Sequence, residues 1–211
     1  MSQGMSRRRL LASSAGVAAG AAVVSVLPPS VHAALARPVR LPYQPEASAK
    51  LHGRRLRIDL RNSGDASVRF ALYPYGGELP KPRRFDVGRK TKVDIALPRD
   101  AYDLVLIGPN GFRREFAGAV GGTAEVESEP HGDDLRISLN NTGKDRLTFT
   151  FRALAYGART REVTFAKGQS RTVHWHTRQG WYDVEVTVAE QATFRRRLMG
   201  HVENGKPSVT G

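Results

Sequence analysis

The sequence contains no cysteine, and this absence limits what the protein can be. Without cysteine there is no disulfide bond and no thiolate ligand for a metal. The sequence also has no Gly-x-Ser-x-Gly, no His-Glu-x-x-His and no phosphate-cradling glycine loop. No segment carries a helical apolar stripe. We therefore predict no catalytic residue, no metal ligand and no cofactor-binding residue.

Acidic residues are scarce relative to basic ones. The chain has 33 lysines and arginines against 20 aspartates and glutamates, and its formal net charge is +13. Such a balance favours anionic partners such as lipid headgroups or cell-surface polyanions. The alternative is a soluble β protein whose arginines cover its solvated faces.

Residues 1–36 have the pattern of a twin-arginine signal peptide, with Arg7 and Arg8 ahead of a weakly apolar run rich in alanine and glycine. Small residues place the cleavage site after Ala33 or Ala36. This type of leader exports folded proteins, so we expect a periplasmic or secreted product. The alternative is an uncleaved anchor, although the apolar run is short for a membrane span.

The remainder of the chain contains an internal repeat. Residues 52–64 align without a gap on residues 131–143, and the motif at 112–118 recurs at 194–200. Within each copy, apolar residues alternate with charged ones over short segments separated by turn signals, which is typical of half-buried strands. About six strands per copy predict an all-β fold of two tandem small antiparallel β-sandwiches of immunoglobulin or fibronectin type.

The repeat also predicts the domain boundaries. They are a connector at 37–50, a first module at 51–120, a second module at 124–203 and a polar tail at 204–211.

Arginines that follow paired phenylalanines are the candidate binding residues. Arginine binds phosphate bidentately, and basic residues are attracted to anionic bilayers. The alternative is that the phenylalanines are core and the arginines a solvated rim. Strand alternation would place Arg114 between Phe112 and Phe116 on one face. The predicted anionic-surface residues are Arg113, Arg114, Arg195, Arg196 and Arg197.

Two histidines, His174 and His176, share one face of a predicted strand. Such a pair needs a third ligand to hold a metal, and none is placed for it. We therefore expect both to face solvent.

Several longer motifs resemble a known family. These are the Leu-Arg-Ile-x-Leu-x-Asn-Ser/Thr-Gly turn, the stretch 108–118 (GPNGFRREFAG), the stretch 180–183 (GWYD) and residues 205–209 (GKPSV). The chain resembles the tandem C-terminal domains of bacterial phosphocholine-type phospholipases C, and its leader resembles that family's twin-arginine signal. In that family a large catalytic domain opens with Glu-Asn-Arg-Ser-Phe-Asp, a motif that this sequence does not contain. The resemblance therefore carries over no catalytic residue, and we expect no enzyme activity.

Together these features predict an exported, non-catalytic protein that binds a lipid or membrane surface or a partner protein. An alternative is an accessory subunit of a separate phospholipase C. A second alternative is a deletion remnant of a phosphatidylcholine-hydrolysing phospholipase C, and a third is an enzyme in its own right. We expect no nucleic-acid partner, because export removes that target.

Overall fold

The computed structural model describes residues 41–156 and 160–208. The predicted leader, with Arg7, Arg8, Ala33 and Ala36, lies outside the described residues, as does the end of the predicted tail. The described residues form fourteen strands. Within these ranges no helix is long and apolar enough to cross a bilayer.

Each repeat contributes seven strands. Those of the first module are β1 (Pro45–His52), β2 (Arg55–Asn62), β3 (Val68–Pro74), β4 (Arg83–Val87), β5 (Lys90–Ala96), β6 (Ala101–Ile107) and β7 (Arg113–Ala119). Those of the second module are β8 (Ala124–His131), β9 (Asp134–Asn141), β10 (Leu147–Ala155), β11 (Arg161–Phe165), β12 (Ser170–Trp175), β13 (Trp181–Val188) and β14 (Arg195–His201).

The strands form three antiparallel sheets. Two have three strands each, in the orders β1-β2-β5 and β12-β9-β8, and the third has eight, in the order β11-β10-β13-β14-β7-β6-β3-β4. In each module the three-stranded sheet packs on that module's half of the eight-stranded sheet, and a separate apolar core lies between them. The predicted all-β antiparallel sandwich is confirmed.

Local sequence explains the repeated hairpins. In β2, Leu56, Ile58 and Leu60 are fully buried while the residues between them are not, as period-two alternation requires. Gly53 stands at φ 56° in the tight turn between β1 and β2, a conformation that favours glycine. The buried Asn62 closes the next turn, because its side chain accepts from Gly64 N and donates to the Ala66 carbonyl.

Seven strands per module exceed the six expected. The additional strands are β1 and β8, and residues 45–50, which we assigned to the connector, belong to β1. β1 pairs with β2 along its whole length. Its core-facing residues include Ala47 and Ala49, whose small side chains give a weak apolar alternation. That is why the pattern did not predict a full strand there.

Candidate functional site

The two modules are joined edge to edge by β7 and β14, which pair antiparallel from Arg195↔Ala117 to Met199↔Arg113. Glu115 lies opposite Arg197, and these two residues occupy equivalent positions in the repeat. A local pseudo-twofold axis therefore passes between them, so each module meets the other with the same surface.

Arg114 is buried in this junction, with 0% of its side chain exposed. Its Nη2 donates to both carboxylate oxygens of Glu46, at 3.0 and 3.1 Å. The same nitrogen donates across the junction to the Tyr182 hydroxyl at 2.9 Å, and Nη1 donates to the Met199 carbonyl at 2.8 Å. Arg114 of the first module is thus bonded directly to the second module.

Arg196 makes the reciprocal contact. It is 2% exposed, its Nη2 donates to the Tyr102 hydroxyl at 2.9 Å, and its Nη1 donates to the Ala117 carbonyl at 2.6 Å. The Phe194 ring lies 4.3 Å from the guanidinium carbon, close enough for a cation–π contact. Within the described ranges no carboxylate forms an ion pair with Arg196, and its buried Nε has no hydrogen-bond partner.

Burial governs the ionisation of the Arg114 cluster. It raises the pKa of the Glu46 carboxyl, an effect that Arg114 opposes, and it likewise raises the pKa of the Tyr182 hydroxyl. Burial also works against the charge of Arg114, but Glu46 and Tyr182 outweigh it and the Arg114 pKa lies above its ordinary value. Arg114 therefore stays a cation although its side chain is fully buried.

The other three predicted arginines lie on the outer face of the eight-stranded sheet around one carboxylate, Glu115. Its side chain is 7% exposed. Its carboxylate oxygens form ion pairs with three arginines, at 2.7 Å from Arg113 Nε, 3.2 Å from Arg195 Nη2 and 3.3 Å from Arg197 Nη1.

Two aspartates complete this outer network. Arg195 lies 3.2 Å from Asp103, and Arg197 binds both oxygens of Asp183, at 2.8 and 2.7 Å. Three cations therefore face three carboxylates, and the network is neutral. Its arginines are already engaged within the protein.

The prediction that all five arginines line an anion-binding surface is wrong for Arg114 and Arg196, because both are buried in the folded protein. For the outer three it stays a prediction, and the carboxylates around them weaken it. A signal for the burial was present in the sequence, since alternation placed Arg114 between Phe112 and Phe116. The usual preference of arginine for the surface favoured the opposite interpretation.

The formal charge of the whole sequence is unevenly divided between the modules. Residues 51–120 contain 14 basic and 8 acidic side chains, whereas residues 124–203 contain 12 and 11. The excess is thus +6 in the first module and +1 in the second.

Other polar features do not suit an anion or a metal. A cleft of about 470 Å³ has three acidic residues, Glu46, Glu129 and Glu203, and one basic residue, Arg61, in its lining, a balance that disfavours an anion. Among the described residues no group of three or more histidines and acids could hold a metal ion. His176 is exposed and contacts Asp134 at 2.8 Å.

The fold and the junction together define a class of protein. It consists of two homologous antiparallel β-sandwiches that share one sheet, and each contributes a buried arginine that donates hydrogen bonds to the other. A family model described as "Bacterial phospholipase C, C-terminal domain" matches residues 38–119 and again 123–201. The chain belongs to this family, as the sequence motifs predicted.

Similar proteins carry the same family name. The chain is 30% identical to a non-hemolytic phospholipase C of Pseudomonas aeruginosa over 81% of its own length, and 31% identical to one of Burkholderia pseudomallei over 74%. It is 35% identical to a hemolytic phospholipase C of P. aeruginosa over 54% of its length. The matches cover 27%, 24% and 17% of those relatives, so the chain spans about a quarter or less of each.

Proposed function

We propose that this chain is an exported, non-catalytic pair of β-sandwich domains that binds an anionic lipid surface. The observation that carries this proposal is the charge excess of the first module. The relatives are named phospholipases C, enzymes that must meet lipid to act. A domain pair that attracts phosphate-bearing surfaces suits a protein of that family.

The physical basis is long-range attraction reinforced by contact. A basic residue near an anionic leaflet contributes on the order of 1 kcal/mol, and the attraction falls off within a screening length of about 8 Å at physiological salt. Several unpaired cations on one side of a small protein are therefore enough for reversible binding. The neutral network around Glu115 contributes little to such a field.

The non-catalytic part of the proposal has separate support. The matched family model describes a C-terminal domain, and each match covers a minor share of a longer relative. Export is supported by the leader pattern at residues 1–36. We expect the purified protein to release no phosphocholine from a choline phosphodiester. Hydrolysis above a buffer blank would contradict this expectation.

Co-sedimentation with lipid vesicles tests the binding function. The protein is expected to pellet with phosphatidylcholine vesicles that contain phosphatidylglycerol, and not with pure phosphatidylcholine. Raising the salt from about 0.05 M to about 0.3 M should release it, because salt screens exposed charges. Failure to pellet with either vesicle at low salt would reject the proposal.

A second candidate is an accessory role beside a separate phospholipase C. The open face of the eight-stranded sheet is about 34 Å wide, from seven inter-strand spacings. It is neutral at its centre and exposes Ile107 and Leu154. A neutral face with exposed apolar side chains suits protein contact. Co-purification with such an enzyme would support this role, and loss of that complex in an Ile107→Lys variant would place it on this face.

A further inference from the structure

We infer that the protein docks on anionic bilayers end-on, through the outer edge of the first module. This inference rests on the proposed lipid binding and assigns its surface. We call the surface the β4–β5 edge. Its basic residues are Lys81, Arg83, Arg84, Arg89, Lys90 and Lys92.

The topology places this edge at one end of the molecule. β4 is the last strand of the eight-stranded sheet and β5 is the last strand of its three-stranded sheet, both on the side away from the second module. A short turn at residues 88–89 joins them. Cations on two different sheets are therefore gathered along a single side of the first module.

The cations of the β4–β5 edge are free to meet a ligand. All six residues are exposed, and none of them has an ion-pair partner in the part of the chain that the structure describes. The acids of the two strands are already held by other arginines, Asp86 of β4 by Arg69 at 2.7 and 3.1 Å and Asp94 of β5 by Arg57 at 2.9 and 3.3 Å. Asp59 lies opposite Lys92 on the neighbouring strand without forming an ion pair with it. Arg83 also lies 5.1 Å from the Phe85 ring centre, close enough for a cation–π contact.

The opposite end of the molecule serves as an internal reference. There β11 and β12 form the equivalent outer edge of the second module. The matching stretch, residues 159–172, has four basic residues and one acidic residue, against six and one in residues 81–92. Charges on edge strands also prevent edge-to-edge aggregation, but this requirement applies equally to both ends of the molecule. The greater charge at the first end favours a binding role.

An exposed aromatic in the loop that leads into β4 favours a bilayer over a soluble polyanion. Tyr75 is 68% exposed and lies in the loop that leads from β3 into β4. Tyrosine is enriched at the membrane–water interface, where its ring sits at the level of the headgroups. An exposed tyrosine in the loop that also contains Lys81, together with the cations of the edge, matches a surface that offers both phosphate and a partly apolar layer.

Two triple variants of equal charge test the assignment in the full chain. One is Arg84→Gln, Arg89→Gln and Lys90→Gln, on the β4–β5 edge. The other is Arg161→Gln, Lys167→Gln and Arg171→Gln, on the β11–β12 edge. The vesicles contain 30% phosphatidylglycerol in phosphatidylcholine, and thermal melts confirm that each variant is folded.

The first triple is expected to weaken vesicle partitioning by on the order of 100-fold, and the second by less than about 5-fold. Equal weakening by both, or none by the first, overturns the end-on surface while lipid binding stands. No binding of the wild-type protein overturns the proposed function itself. Tighter binding of wild-type protein to heparin than to the vesicles, at equal anionic charge, overturns the bilayer as the occupant.

Discussion

Arg114 and Arg196 occupy equivalent positions in the two modules, yet the protein compensates their charges differently. Each is buried, each lies over the phenylalanine two residues before it, and each donates to a tyrosine of the other module. Arg114 also has a carboxylate, Glu46, whereas among the described residues Arg196 has none and keeps only partners of the kinds that Arg114 has as well, two backbone carbonyls and aromatic rings. The geometry of the junction is symmetric and its electrostatics are not.

The difference arises on the first strand of each module. Glu46 points into the junction, where Ser128 of the second module also donates to it at 3.0 Å. The equivalent residue on β8 is Glu125, which instead bonds Asn140 and lies near Lys50. Arg114 is therefore part of a buried ion pair, and removing either partner is strongly destabilising. Arg196 is a desolvated cation whose hydrogen-bond partners are all neutral.

Replacing each arginine by methionine should give the largest difference between the modules. Arg114→Met leaves Glu46 buried without its cation and is expected to lower the free energy of unfolding by about 3–5 kcal/mol. Arg196→Met strands no charge and should cost about 1 kcal/mol. Urea denaturation measures both losses.

The double variant Glu46→Leu/Arg114→Met is the control for this comparison. Removing both charges together should restore about 2 kcal/mol relative to Arg114→Met alone, because an apolar pair can replace a buried ion pair. Equal losses in the two single variants would show that Glu46 does not distinguish the junction's two halves.

Two equivalent glycines provide the next test. A Cβ on Gly118 would lie 2.6 Å from the Tyr102 hydroxyl, and one on Gly200 would lie 2.9 Å from the Tyr182 hydroxyl. Each tyrosine accepts a bond from an arginine of the other module, so an added methyl group pushes it away from that donor. Gly118→Ala should cost about 2–3 kcal/mol and Gly200→Ala about 1–2 kcal/mol. The opposite order in thermal melts would contradict the tighter packing of Tyr102 against Gly118.

Glu115 and Arg197 mark where the pseudo-twofold axis carries opposite charges. Glu115→Gln leaves three arginines with two carboxylates and is expected to cost about 2 kcal/mol. Arg197→Gln should cost at least as much, about 2–3 kcal/mol, because it leaves the buried Asp183 without the cation that binds both of its oxygens. Urea denaturation measures both losses, and a loss for Arg197→Gln well below that for Glu115→Gln would show that the Arg197–Asp183 pair contributes little.

The smallest effect concerns a cross-strand pair on the outer face. The first module has Arg69 opposite Asp86, where the second has Thr148 opposite Thr164. The hydrogen bond from Arg69 lowers the pKa of Asp86 below its ordinary value of 3.8. This pair therefore stabilises the protein above that value and loses its contribution as the pH falls through the lowered pKa.

An NMR titration of Asp86 should thus show a midpoint below 3.8. Arg69→Gln should move the midpoint upward, while Thr148→Gln, the matching change in the second module, should leave it unchanged. A midpoint for Asp86 at or above 3.8 in the wild-type protein would be inconsistent with this ion pair.

The repeat and the strand alternation were enough to predict the sandwiches. They depend on local periodicity, which a sequence displays directly. The shared eight-stranded sheet was not predictable, because the pairing of β7 with β14 joins residues about 80 positions apart and leaves no local pattern. The strand β8 was missed for a different reason: its core-facing positions include Ala124 and Ser128, which are weak apolar signals.

The burial of Arg114 in the junction between the modules was only partly predictable from the sequence. Alternation put Arg114 and its neighbouring phenylalanines on one face, but the partner that permits burial, Glu46, lies 68 residues away. Whether an arginine is buried depends on such distant compensation, which sequence spacing does not reveal. The β4–β5 edge was missed because its cations look like ordinary solvated charges until the topology gathers them at one end.

Differential scanning calorimetry of the intact protein tests most directly whether the shared sheet and exchanged arginines make the two modules one folding unit. A single transition is expected, with equal calorimetric and van't Hoff enthalpies. Arg114→Met should shift that whole transition to lower temperature. Two separable transitions, of which only one moves in the variant, would contradict the claim.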